Sequence, residues 1–149
     1  MSRVESSTLL EDDIGDRVDE QSFDALCAAF RSSGGVAWEE DLSRMLQDRH
    51  PDTNDSLARL IASNQVFSFE WRGTRWVPML QFELGDLSLR SSVLQVRSEL
   101  DKELDEWGVA LWFARRNAFL GDRRPAESLE SNLSAVLQAA RVDRFVSVW

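Results

Sequence analysis

The sequence predicts a mainly α-helical protein with one small β-hairpin. Three observations predict it. Apolar residues recur at steps of three and four along most of the chain, the period drops to two only between Val66 and Phe82, and 43% hydrophobic content over 149 residues is enough to bury a core.

The first twenty residues stand apart. Glu5, Glu11, Asp12, Asp13, Asp16, Asp19 and Glu20 face only Arg3 and Arg17, so residues 1–20 read as a disordered acidic arm. From Gln21 the stripe Phe23, Leu26, Cys27, Phe30 predicts an amphipathic helix that Gly34-Gly35 stops. Val36 and Trp38 form a short extended piece. Glu39-Glu40-Asp41 suit the first turn of a second helix, with Leu42, Met45 and Leu46 on its inner face and Pro51 at its end. Asp52–Ser56 offer N-caps for a third helix carrying Leu57, Leu60 and Ile61. Two alternating runs, Val66–Trp71 and Trp76–Phe82, then flank Arg72-Gly73-Thr74-Arg75 as a hairpin.

Helix, extended piece, helix, helix, hairpin is the element order of a winged helix-turn-helix. Residues 21–84 are therefore expected to form a winged-helix-like N-terminal half. Gly85–Ser88 reads as a linker, and residues 89–149 as a C-terminal helical bundle. In it Leu89, Val93, Val96, Leu100, Leu104, Trp107 and Leu111 carry one long helix or two broken near Gly108. A polar, turn-rich insert at Asn117–Pro125, anchored by Phe119 and Leu120, precedes a last stripe of Leu129, Leu133, Val136, Leu137 and Ala140.

Composition narrows the function classes. Net charge is −9, which disfavours approach to nucleic acid or anionic membrane except through a local patch. Basic residues gather late, at Arg115, Arg116, Arg123, Arg124, Arg141 and Arg144. No stretch reaches the length of a membrane span and the N-terminus lacks the pattern of a signal peptide. With one cysteine, Cys27, placed as a small hydrophobe in a helix stripe, a reducing, cytoplasmic location is expected.

Chemistry is hard to assemble from these residues. His50, the single histidine, reads as an exposed loop residue beside Pro51, and one His and one Cys lack zinc-ligand spacing. The carboxylate pairs fall on polar helix faces, and no phosphate-binding glycine motif exists. The expectation is no enzyme, with no catalytic, cofactor or metal residues. Trp38, Trp71, Trp76, Trp107 and Trp112 lie in phase with apolar stripes and are expected in the core, whereas Trp149 either folds back or is offered to a partner. For DNA, Asn54 and Arg59 on the third helix and Arg72 and Arg75 in the hairpin are the contact candidates, a thin footprint offset by nearby acids.

The stretch Trp107-Gly-Val-Ala-Leu-Trp-Phe-Ala-Arg-Arg-Asn-Ala-Phe-Leu-Gly-Asp-Arg-Arg-Pro-Ala-Glu-Ser-Leu129 resembles the antitoxin Xre/MbcA/ParS toxin-binding domain. Trp112, Phe113, Asn117, Leu120, Gly121, Pro125, Leu129 and Val136 occupy that family's pattern positions. Upstream, Trp76-Val-Pro-Met-Leu-Gln-Phe82 is similar to the segment that often joins a small helix-turn-helix to this domain. The resemblance covers about residues 60–146, with Arg116 in place of a usual Pro and Asp122 in place of a second Gly. It implies an antitoxin-like bacterial protein that covers a partner toxin, commonly a RES-type toxin that consumes NAD. Carried over, the contact candidates are Asn117, Leu120, Gly121, Arg124 and Pro125. The residues themselves add Phe145 and Trp149, because exposed aromatics anchor interfaces. The rival readings are a DNA-binding regulator acting as a homodimer, and an acidic adaptor or chaperone.

Overall fold

In the computed structural model, residues 20–53, 56–100 and 102–147 are described; the acidic arm lies outside them except for Glu20, which opens the first helix. The elements are α1 (Glu20–Ala29), β1 (Val36–Trp38), α2 (Glu39–Arg49), α3 (Leu57–Ala62), β2 (Phe69–Trp71), β3 (Thr74–Pro78), α4 (Ser91–Glu99), α5 (Glu106–Ala114), α6 (Pro125–Ser128) and α7 (Leu133–Ser147). The chain is mainly helical with one small antiparallel sheet in the order β1-β3-β2. Among the described residues no helix is long and apolar enough to cross a membrane.

Local chemistry explains the boundaries. α1 runs into a 3-10 turn that ends at Gly34, where φ is +107° and a Cβ would sit 3.0 Å from that of Met79, so only glycine fits without displacement. Ser56 accepts the backbone N–H of Arg59 at 3.2 Å and caps α3. The hairpin turn is two residues, Arg72-Gly73, both at positive φ (53° and 77°), which matches the right-handed strand twist; the expected four-residue connection is shortened because Thr74 and Arg75 already pair in β3.

The strand-like runs are only partly strand. Val66, Phe67 and Ser68 are buried ahead of β2, and the Phe67 backbone pairs with the side-chain amide of Gln81 instead of with a neighbouring strand. Met79–Gln81 form a 3-10 turn, after which Phe82 bridges Leu89. Between them Gly85–Ser88 is no linker. Glu83 donates to the Ser88 carbonyl at 2.8 Å, Leu87 donates back to Glu83 at 2.7 Å, and the Leu87 side chain is 4% exposed.

In the second half α4 ends at Glu99 and α5 starts at Glu106, so Gly108 is inside the later helix. Asp105 accepts the Gly108 N–H at 2.7 Å, an N-cap that places the helix start ahead of the glycine. The last stripe also divides. Leu129 closes α6, and α7 starts after Asn132, whose Oδ1 accepts the Ala135 N–H at 3.2 Å.

Two buried clusters flank the sheet. One contains Phe23, Leu26, Phe30, Phe67, Phe69, Leu80, Val96, Phe113, Leu129 and Val136, and so draws on α1, β2 and the four later helices. The other contains Leu42, Leu46, Leu57, Leu60, Val66, Val77, Phe82 and Leu87, from α2, α3 and β3. Adjacent β3 residues separate them: Trp76 packs on the first and Val77 on the second, as strand alternation requires. Residues from both sides of 85–88 share the first cluster, so the expected halves have a common core.

Residues of the expected apolar stripes also lie outside, among them Leu104, 37% exposed, and two in the first half. α2 buries a narrow Leu42–Leu46 stripe in the second cluster, leaving Met45 43% exposed; Trp38, at the end of an edge strand, is 41% exposed. His50 is half-buried, not exposed: it follows α2 and shares a small cleft with Leu46, Pro51 and Leu57.

The ends of α4 and α7 are joined by charge. Glu99 Oε1 lies 3.2 Å from Arg141 Nε and 3.7 Å from Arg144 Nη2. The Arg141 hydrogen bond, against a smaller opposing effect of burial, holds the Glu99 carboxyl below its ordinary range. A depressed folded-state pKa contributes stability above the unfolded-state value and loses it as pH falls through the folded-state one. Glu99→Gln is therefore expected to remove part of the acid-side loss of stability, read from urea midpoints at neutral and acidic pH. An unchanged pH profile would show that this pair does not persist in solution.

Candidate partner-binding surface

At the end of α5 the chain turns through Asn117–Arg123 and is closed by its own backbone. Asn117 donates to the Arg123 carbonyl and Asp122 donates to the Asn117 carbonyl, both at 2.9 Å. The Asn117 side chain holds both sides of this loop. Its Oδ1 accepts the Phe119 N–H at 2.9 Å, and its Nδ2 donates to Asp143 Oδ2 on α7 at 3.2 Å. The same carboxylate oxygen accepts the Trp112 indole N–H at 2.6 Å. Three elements are thus tied to one carboxylate, which makes the loop a rigid platform.

The tight backbone uses two left-handed residues, Gly121 (φ +66°) and Asp122 (φ +68°). Asp tolerates this region better than most side chains but pays a steric cost that glycine does not. Asp122→Gly is expected to change stability in the favourable direction by about 0.5–1 kcal/mol, checked by urea unfolding. A loss of that size would mean the Asp122 side chain has a stabilising role.

The resemblance-derived residues gather here, in unequal roles. Pro125 is buried at the first position of α6, where its missing N–H costs nothing. Arg124 donates from Nε to the Ala114 carbonyl at 3.0 Å, satisfying an orphan acceptor at the end of α5, and pairs with Glu127 at 3.3 Å. Leu120 is half-buried against the first cluster, and Gly121 is exposed at the bend. The Phe145 side chain and Trp149 lie outside the described residues.

What faces solvent is Phe119, expected to anchor the loop but 49% exposed. The short 3-10 turn Ala118–Leu120 can point only one of its two large side chains inward, and Leu120 takes that place. Arg115, Arg116 and Arg123 are exposed around the same loop, and none of them pairs with an acidic side chain among the described residues. A cleft of about 290 Å³ adjoins it, walled by Leu104, Leu111 and Trp112 and edged by Arg115, Arg116 and Asp143. Sequence reasoning placed the arginines in a late basic run but missed Asp143, which only tertiary contact brings to Asn117.

The DNA candidates are arranged differently. Arg75 Nη1 donates to Glu106 Oε2 and to Ser68 Oγ, each at 2.7 Å, with Glu70 at 3.9 Å. Arg72 lies over the Trp71 ring at 4.6 Å and 3.6 Å from Glu20. Arg59 is exposed on α3, and Asn54 lies outside the described residues. Both hairpin arginines thus face acidic side chains of the same chain, Arg75 closely and Arg72 at the open surface.

Burial, and then Asp24, push the Cys27 thiol above its ordinary pKa, which suppresses the nucleophilic thiolate. Among the described residues no cluster of His, Cys, Asp and Glu has the grouping of a metal site. Comparison with protein-family models, with curated proteins and with solved structures returns no match.

Proposed function

We propose that this chain is an antitoxin-like interaction protein that binds and neutralises a partner toxin through the Asn117–Arg123 loop and the adjoining ends of α5 and α7. The observation that carries the reading is Phe119, 49% exposed on a loop that Asp143 braces, that Arg115 and Arg116 precede and that also carries the exposed Arg123. An exposed aromatic on a rigid backbone with a polar, charged rim has the make-up of an interface hot spot. The arginines suit an acidic rim on the partner, and a RES-type toxin is the partner class the sequence resemblance implies.

In this reading α1 to β3 form a winged-helix-like scaffold, supported by the element order and by the sheet order β1-β3-β2. Its role is protein contact and support rather than operator binding, because Arg72 and Arg75 already face Glu20, Glu70 and Glu106.

The test is co-expression with the protein encoded by the adjacent gene, scored by growth rescue and by the affinity of the purified complex. Phe119→Ala combined with Arg123→Glu is expected to weaken binding at least tenfold, about 1.4 kcal/mol or more, while leaving the thermal midpoint almost unchanged. Wild-type affinity in the double variant overturns this interface. A harmless neighbour that fails to co-purify overturns the antitoxin assignment.

A further inference from the structure

Other arginines of this chain have found acids: Arg75, Arg90, Arg124 and Arg141 each meet a carboxylate within 3.3 Å. Arg115, Arg116 and Arg123 are exposed and meet none among the described residues. The acids nearest in the fold do not cancel them. Asp143 holds the Trp112 and Asn117 donors on one oxygen, and Asp122 meets Arg116 through its backbone carbonyl, at 3.2 Å, rather than through its carboxylate. The cleft that Arg115 and Arg116 edge has apolar walls at Leu104, Leu111 and Trp112. Its complement is a segment that sets apolar and acidic side chains side by side.

The chain itself carries such a segment. Outside the described residues, six acids lie in residues 1–19 and only Asp55 and Asp101 elsewhere. Leu9-Leu10-Glu11-Asp12-Asp13-Ile14 places three of the six between apolar side chains. Reach permits the contact. Glu20 starts α1, which packs on α5, and the nine residues of α5 span about 14 Å. Residues 9–14 precede Glu20 by 6–11 positions, which in extended chain cover up to about 20–36 Å.

We propose that the segment Leu9–Ile14 docks on this cleft within the same chain, with its leucines against Leu104, Leu111 and Trp112 and its acids on Arg115, Arg116 and Arg123. Docked, it covers the surface assigned above to the partner, so the partner engages only the undocked fraction and binds correspondingly more weakly. That autoinhibitory consequence rests on the partner-binding reading, whereas the docking does not and is tested on the chain alone.

The test uses the full chain labelled with ¹⁵N at low ionic strength, where charge contacts are least screened. Wild type is compared with a variant carrying Leu9→Ser, Leu10→Ser, Glu11→Gln, Asp12→Asn and Asp13→Asn, all ahead of α1. The amide signals of Leu111, Arg115, Arg116 and Arg123 and the Trp112 indole signal are expected to shift, while those of α2 and α3 stay in place and report an intact fold. Reciprocally, Arg123→Glu should shift the amide signals of residues 9–14, which no local change at an exposed side chain explains. Once a partner is captured, the five-residue variant should bind it at least threefold tighter than wild type. Unmoved loop signals in that variant, or unmoved signals of residues 9–14 in Arg123→Glu, overturn the docking. Loop signals that move only on removal of Val148 and Trp149 give the cleft to the C-terminal tail, and signals that move with protein concentration give it to a second copy; either overturns the proposal. Equal partner affinity overturns the autoinhibition, and docking in a chain that neutralises no toxin supports this inference while overturning the partner reading.

Discussion

Phe113→Ala is expected to cost about 3–5 kcal/mol, the usual range for emptying a buried phenylalanine site. Phe113 is 0% exposed, stacks on Phe67 with ring centroids 5.6 Å apart, and meets Trp112 edge-on at 5.3 Å. It joins α5 to the segment ahead of β2, so the cavity opens where the early and late parts of the chain meet. For a chain of this size each kcal/mol is about 2–4 °C of thermal midpoint, which predicts a fall on the order of 10 °C. Wild-type protein should melt in a single cooperative transition, since the first cluster spans residues on both sides of 85–88. A loss below about 1 kcal/mol, or two separated transitions in the wild type, would show that this shared core does not form.

The second large effect is expected from Gln81→Leu. Gln81 is 3% exposed and satisfies three backbone groups: it accepts the Phe67 N–H at 2.8 Å and donates to the carbonyls of Phe67 at 2.8 Å and Pro78 at 3.1 Å. Leucine keeps most of the volume but leaves those groups with no partner. At about 1–3 kcal/mol for each orphaned group, partly relieved by relaxation, a loss of about 3–5 kcal/mol is expected from urea unfolding. Amide exchange at Phe67 separates this mechanism from simple loss of packing. The Phe67 N–H should lose more protection than global unfolding explains in Gln81→Leu, whereas Phe113→Ala should change it only in proportion to stability. Unchanged protection would mean the amide does not hold that segment.

Much of the candidate surface was legible in the sequence because its chemistry is local. Asn117 capping a turn, Gly121 permitting a left-handed bend and Pro125 opening a helix each depend on residues within a few positions, and the structure has all three. The anchor was not legible. Phe119 and Leu120 are equivalent as sequence, and their exposures diverge only because the first cluster lies on one side of the turn. Asp143 is 26 residues from Asn117 and 31 from Trp112, a separation at which no periodicity speaks.

The sequence by itself determined the mainly helical composition, the order of the elements and the position of the hairpin, because helix and strand periods, caps and turn residues act over a few residues. Tertiary structure alone decided the rest. It left Trp38 and Met45 outside and turned Gly85–Ser88 into a closed turn over buried Leu87. It also set Arg75 against Glu106, 31 residues away in the chain. An amphipathic stripe states which side of an element prefers burial. What covers that side, and which charges meet, depends on partners brought together only when the whole chain packs.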